Sequence, residues 1–450
     1  MTAQTPDPAA AELLSGLIAR ARAAGADAAD ALLVDSASLS LSQRLGKPEE
    51  LQRSESGDIG LRVFVGRRQA VVSSTDRSPA MLAELAERAV AMARLVPEDE
   101  HAGLADPDEI ARDWPDLDLC DAEEPTAEAL IAQAAAAEEA ALAVAGVTNS
   151  DGADAGWSRS VVLLAASNGF AGGYAVSRRS LSVSVLAGSG TGMERDYDYH
   201  STVYAADLED PALIGRRAGE RAVAKLNPRK VASRQVPVVF DPRVASGMLG
   251  HLSGAINGAA IARGTSFLKD RMGEAVFAPG IEVVDDPHVR RGLRSKPFDG
   301  EGVPGRRRSI IEDGRLTTWF LDQRSARQLG LRSTGHASRG TGGPPGPAPT
   351  NLYLAAGTLS PEELMADIGE GLYVTSLMGQ GVNGVTGDYS RGAGGFWIEK
   401  GKITFPVAEV TIAGNLKDMF RNLTPASDLE FRHGVDSPTV RIEGMTVAGT

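Results

Sequence analysis

The residues nearest to a catalytic pattern lie in one glycine-punctuated stretch, Gly250-His251-Leu252-Ser253-Gly254-Ala255-Ile256-Asn257-Gly258, inside a run from Ala245 to Ala262 whose spacing predicts a helix. A zinc peptidase site built on a helix needs two imidazoles about one turn apart, with a glutamate beside the first to deprotonate the metal-bound water. His251 offers one imidazole, but Leu252 follows it, and Ala255 and Ile256 stand where a second ligand would fall. One donor neither holds zinc tightly nor activates its water, so His251 reads as a structural residue. On a continuous helix Gly250, Gly254 and Gly258 form one smooth ridge. Each interior glycine costs about 1 kcal/mol against alanine, so something must compensate. Either another backbone packs there, or a ligand or partner helix approaches.

Other polar groupings carry less. Glu194, Asp196, Asp198 and His200 alternate and would share one strand face, either as a solvated acidic face or as a cation site. Asp285, Asp286 and His288 pose the same choice. Gly379-Gln380-Gly381-Val382-Asn383-Gly384 has dinucleotide-loop spacing, but the following VTGDYSRG cannot open a helix for a pyrophosphate. There is no G-x-S-x-G elbow and no phosphate-loop Gly-Lys-Ser/Thr, and the single cysteine, Cys120, excludes a disulfide and any cysteine zinc cluster.

The elements that must position these residues can be read in outline. Four hundred and fifty residues exceed one ordinary core of about 100 to 200. Charged residues at 23% and hydrophobic ones at 42% describe a folded globular chain. An amphipathic helix over 9–24, strands in ALLVDS, LRVFVG and QAVVSST, and a helix capped by Ser78 make a first α/β unit, 1–96. An acidic connector, 97–125, is expected to run over the surface. A second unit, 126–230, repeats the order with an alanine-rich helix, the strands RSVVLLAAS, GYAVSRRS and LSVSVLAG, and a closing helix. The strings Glu87-Arg88-Ala89-Val90-Ala91 and Glu220-Arg221-Ala222-Val223-Ala224 match, which leaves duplication and coincidence both open. Residues 231–450 read as a β-rich domain around the glycine-ridged helix, and the fold class is α+β. Two hairpins with glycine turns, Ile311–Thr317 and Ile398–Thr404, look alike, as do the segments SRGTGG from Ser338 and SRGAGG from Ser390.

The net charge of −13 and the scatter of basic residues argue against direct nucleic-acid binding. Local exceptions are Arg290, Arg291, Arg294 and Lys296, then Arg306 to Arg308, read as a solvated loop or as an anion or partner site. No basic-then-apolar leader and no apolar run of 18 or so residues is present, so a cytoplasmic location off the membrane is expected.

Ser266-Phe267-Leu268-Lys269-Asp270-Arg271-Met272-Gly273 and the run GQGVNGVTGDYSRGAGGFWIEKGKITFPVAEVTIAGNLKDMF, residues 379 to 420, resemble the PmbA (TldE) branch of the TldD/PmbA metallopeptidase family. The resemblance implies a two-subunit cytoplasmic peptidase acting on unfolded peptides and carrying the old label modulator of DNA gyrase. It implies a TldD-type chain with an H-E-x-x-x-H zinc helix plus a distant cysteine, and a PmbA-type chain paired with it. Laid on that motif, His251 matches the first histidine, while Leu252 replaces the glutamate, Ile256 replaces the second histidine, and no C-terminal cysteine exists. The expectation is a subunit with no catalytic residue and no cofactor, with zinc in a TldD-like partner. Asn383, Asp388, Tyr389, Ser390 and Arg391 are expected to line a peptide cavity or the subunit interface, with backbone groups of Gly379 to Gly395 free to bind an extended peptide. A homodimeric peptide-binding scaffold and a stand-alone hydrolase using carboxylates are the alternatives.

Overall fold

At four helix starts a serine or aspartate stands directly before proline. The side chain of Ser78, Asp210, Asp241 or Ser360 accepts from a first-turn amide, while the proline presets the helical φ. In the computed structural model, which describes residues 8–449, these caps punctuate two successive architectures.

The first contains α1 (Pro8–Ala23), β1 (Ala28–Arg44), β2 (Lys47–Val65), β3 (Arg68–Ser74) and α2 (Pro79–Leu95), then α3 (Ala127–Leu142), β4 (Val147–Ala166), β5 (Ala171–Ala187), β6 (Glu194–Thr202) and α4 (Pro211–Ala224). The order helix, three strands, helix thus occurs twice. The two meanders join through an antiparallel β1–β4 pair into one sheet, β3-β2-β1-β4-β5-β6. GYAVSRRS and LSVSVLAG are one strand, and the acidic MERDYDYH becomes the edge strand β6. Because side chains alternate along a strand, one face carries Leu33, Leu61 and Leu163 under α1 and α2, and Leu41, Trp157 and Leu181 under α3 and α4. The other face is rich in serine, including the cross-strand Ser36–Ser160 hydrogen bond of 2.8 Å.

Glu138 fixes the β1–β2 turn from inside α3. Its carboxylate accepts from the Leu45 and Gly46 amides at 2.7 and 2.8 Å, which holds Leu45 in a left-handed conformation with φ of 50°.

The second architecture contains β7 (Arg234–Phe240), α5 (Pro242–Ala255), α6 (Gly258–Ala262), β8 (Val283–Asp286), β9 (Arg308–Glu312), β10 (Arg315–Leu316), α7 (Gln323–Gln328), β11 (Ala337–Ser338), β12 (Gly346–Pro347), β13 (Asn351–Leu354) and α8 (Pro361–Met365). It continues with β14 (Glu370–Met378), β15 (Asp388–Glu399), β16 (Lys402–Asn415), α9 (Leu416–Arg421), β17 (Leu423–Pro425), β18 (Val435–Asp436) and β19 (Val440–Ala448). One sheet runs β16-β15-β14-β7-β19-β17, and a further β16–β19 pairing closes it into a barrel. A second sheet runs β10-β9-β8-β13-β18. Both glycine hairpin turns have positive φ at their two central residues, Asp313 and Gly314 in one, Lys400 and Gly401 in the other.

The connector does more than cross the surface. Ala105, Leu117, Leu119 and Cys120 are buried, and its acids pair with arginines of the C-terminal half, Asp99 with Arg324 and Asp118 with Arg290 and Arg291. Among the described residues, no helix is long and apolar enough to cross a membrane.

Candidate functional site

Helix α5 carries Ala245, Met248, Leu249, Leu252 and Ala255 on its buried side. Ile256 ends it, and Asn257 caps the separate helix α6. The continuous ridge expected from sequence is therefore corrected. Gly258 opens α6 and is tightly enclosed, since a Cβ there would lie 2.6 Å from Leu321 Cδ2 and 2.7 Å from the Phe320 carbonyl oxygen. Gly250 and Gly254 face open space, as does Gly247, so close packing does not explain them. Together with half-buried His251 they form a smooth, accessible strip on α5. His251 stands edge-on to Tyr389, with ring centroids 5.8 Å apart.

Near this helix lies a cavity of about 610 Å³, walled by Arg243 and Gly247 of α5, by the edge strand β6, and by strands β14 to β16 of the barrel. Two irregularities in the barrel coincide at this wall. The β14–β15 register skips Thr375, and between β15 and β16 the register jumps from Ala393–Val410 to Gly395–Val407. Gly394 thereby opposes Ala408 and Glu409, with Glu409 at a φ of 56°. Bulges release backbone groups from the ladder, and among the described residues the buried Thr375 hydroxyl has no partner at the same place. The expectation of free backbone along Gly379 to Gly395 is corrected accordingly. Apart from the irregularities at Gly394 and Trp397, β15 is paired with β14 and β16 on its two sides from Gly392 to Glu399, and the Ser390 amide donates to the Gly381 carbonyl at 2.7 Å. The glycine pair Gly394-Gly395 was the available sequence signal for the bulge.

The charges around the cavity are largely matched. Asp196 is buried, yet ion pairs with Arg243 at 2.9 Å and Lys225 at 2.8 Å hold its carboxyl below the usual range against the upward push of burial. Asp198 pairs with Arg217 at 2.6 Å and Arg221 at 2.9 Å. The strand that could have been a solvated acidic face or a cation site is therefore a buried arginine-binding seam tying β6 to α4 and α5. Arg391 is different. It lines the cavity, has no carboxylate partner among the described residues, and its Nε is buried without a hydrogen bond. Burial, and secondly the Arg391 charge, hold His251 below its ordinary pKa, which favours the neutral imidazole. Burial pushes the Tyr389 phenol up to about 12, and its hydroxyl faces Arg391 without closing a well-formed hydrogen bond.

The five sequence candidates divide. Tyr389 and Arg391 point to the α5 side with His251, whereas Asp388 and Ser390 alternate to the exposed face. Asn383 builds its own turn, accepting from Val385 and Thr386 at 2.9 and 3.2 Å, and Asp388 accepts from Thr386 and Asn415 at 2.6 and 3.0 Å. Asp285 is buried against His336 and Thr350.

Family models described as PmbA/TldA metallopeptidase domain 1, central domain and C-terminal domain match residues 29–93, 120–226 and 233–449. The chain belongs to the PmbA/TldD metallopeptidase family. Its place is in the PmbA/TldE branch. It is 41% identical to Metalloprotease PmbA of Escherichia coli O157:H7, over 94% of this chain and 92% of that protein, and 38% identical to a PmbA homolog of Haemophilus influenzae, over 91% of this chain and 90% of that one. A Bacteroides thetaiotaomicron structure described as a modulator of DNA gyrase superposes with a TM-score of 0.91 at 29% identity, covering 99% of this chain and 100% of that one. TldE of Thermococcus kodakarensis shares the fold, with a TM-score of 0.87 at 21% identity, over 97% of this chain and 100% of that one.

A family of this name raises the question whether these residues suit a metal. At the two positions that would carry the motif's glutamate and second histidine, Leu252 and Ile256 are hydrocarbon side chains fully buried in the barrel core. Among the described residues, no three His, Cys, Asp or Glu side chains are grouped so as to hold a metal ion, and buried Cys120 lies in the connector. The donor set does not fit zinc.

Proposed function

We propose that this chain is the zinc-free, PmbA/TldE-type subunit of a two-chain cytoplasmic peptidase, and that its cleft holds part of an unfolded peptide for a TldD-type, zinc-bearing partner to cut. The observation that carries the reading is the condition of α5. The helix keeps an open glycine strip beside a 610 Å³ cavity, while the motif positions 252 and 256 have turned into core. Backbone groups freed at the bulges offer sequence-tolerant hydrogen bonds to a peptide main chain, and Arg391 offers a charge for a carboxylate or carbonyl. No described residue of the cleft pairs a nucleophile with a base, so the chemistry belongs to the partner. A TldD homolog of Haemophilus influenzae, 27% identical over 58% of each chain, supports the existence of such a partner type.

Co-expression with a TldD relative, followed by metal analysis and peptide cleavage, tests this. The expected result is zinc that follows the TldD chain and cleavage that needs both chains. About one tightly bound zinc on this chain alone, together with cleavage by it alone, would sink the proposal.

A further inference from the structure

The basic cluster following Asp285 resolves into two groups. Arg290 and Arg291 are spent on Asp118, at 2.9 and 2.7 Å. Among the described residues, Arg294 and Lys296 have no carboxylate within ion-pair range, and with Arg178 of β5 they line a separate cavity of about 360 Å³ between the serine-rich sheet face and the loop before Lys296. This cavity shares no residue with the cleft at α5.

None of the residues lining it is acidic, in a chain with 59 Asp and Glu. Neither the Arg178 nor the Arg294 guanidinium makes a hydrogen bond or ion pair with a described residue, and the Lys296 amine has only the Ser338 hydroxyl at 3.3 Å. Asp299 and Asp285 act on Lys296 only from beyond ion-pair range, and both are already held, Asp299 by the amides of Glu301, Val303 and Ala337, Asp285 by Thr350 and His336. Ser158 and Tyr174 also line the cavity, and neither hydroxyl has a hydrogen-bond partner among the described residues. Burial lowers the Lys296 pKa, and the like charge of Arg294 adds to that, so the attraction of an anion in the cavity offsets both.

We propose that this inter-half cavity binds a small phosphorylated molecule, with its phosphate among Arg178, Arg294 and Lys296 and donated hydrogen bonds from Ser158 and Tyr174. Three cations suit a dianion better than a single carboxylate, guanidinium forks match phosphate oxygens, and the volume is that of a small-ligand pocket. Because the cavity joins the sheet to the C-terminal half, its occupant stabilises their junction.

The test is calorimetric titration of the full chain with inorganic phosphate and, separately, with acetate, paired with thermal unfolding in phosphate against chloride of equal ionic strength. Phosphate is expected to bind and to raise Tm beyond chloride, acetate to bind at least roughly tenfold more weakly, and the double variant Arg178→Ala/Arg294→Ala to lose at least about tenfold in phosphate affinity. Both arginines are exposed and unpaired among the described residues, so that variant keeps its fold, and Lys296→Met adds a second, charge-removing check that should also weaken phosphate binding. Absence of a phosphate-specific shift, or an equal shift in the double variant, overturns the site. Acetate binding as tight as phosphate overturns the phosphate assignment.

Discussion

Ser338-Arg339-Gly340-Thr341-Gly342-Gly343 and Ser390-Arg391-Gly392-Ala393-Gly394-Gly395 differ at one position out of six, yet they do opposite things. In the first, Arg339 is buried with its Nη1 2.6 Å from Asp30, and the Thr341 carbonyl lies against Gly60 of β2, so the segment docks the C-terminal half onto the sheet. In the second, nearly the same letters form the bulged strand at the cleft, and Arg391 has no carboxylate partner among the described residues. Local sequence sets the backbone's permissiveness in both. Whether the arginine acts as glue or as a free charge depends on the partner that the fold delivers from 309 residues away.

The largest test of that difference is the arginine itself. Arg339→Ala strands buried Asp30 with half its compensation and is expected to cost about 3 kcal/mol in urea unfolding. Arg391→Ala is expected to cost under about 1 kcal/mol while reducing peptide cleavage by the reconstituted pair of chains severalfold. Equal destabilisation by the two variants would break the comparison.

Next comes the docking surface. A Cβ on Gly60 would sit 2.2 Å from the Thr341 carbonyl oxygen, whereas one on Gly340 meets nothing within 4 Å. Gly60→Ala is therefore expected to lose about 1 to 3 kcal/mol, and Gly340→Ala to stay within about 0.5.

Titration sharpens the contrast. Burial pushes Asp30 up, but Arg62 and Arg339 together hold it below its ordinary value. A depressed carboxylate contributes stability above its unfolded pKa of about 3.9 and loses it as pH falls through the folded value, so wild type should show a steeper acid loss there than Asp30→Asn. His251, depressed mainly by burial and partly by Arg391, should titrate below about 6.5 by NMR. In Arg391→Ala its midpoint should rise without reaching that value. An unchanged midpoint would remove Arg391 from the imidazole's surroundings.

The smallest effects concern the helix glycines. Gly250→Ala and Gly254→Ala, in open space, should each stabilise by about 0.5 to 1 kcal/mol, while Gly258→Ala should destabilise.

Much of the local structure was legible because its causes are local. The Ser78-Pro79 cap, the alanine-rich helix of residues 127 to 142 and the two glycine hairpins each rest on a few neighbouring residues. The repeated order of helix, strands and helix was visible too, although not that both copies share one sheet. Asp196 and Asp198 looked solvated because Arg243, Arg217 and Arg221 reach them only after α4 and α5 fold back. The break between α5 and α6 has a local signal in Asn257-Gly258, a favoured cap and turn pair, which the helical spacing of the glycines on either side masks. Of the two bulges, Gly394-Gly395 marks one in the sequence, whereas the slip at Thr375 shows only in the pairing of β14 with β15.

Barrel closure also sets a timetable. One edge of β7 waits for β19, so the barrel's first strand leaves the ribosome about 200 residues ahead of the strand that seals it. At ordinary synthesis rates this is roughly 10 to 40 s during which an apolar strand edge is open. A chain cut short by its last dozen residues would keep two open edges, and it should be recognised in the cell as an aggregation hazard long before any loss at the cleft was noticed.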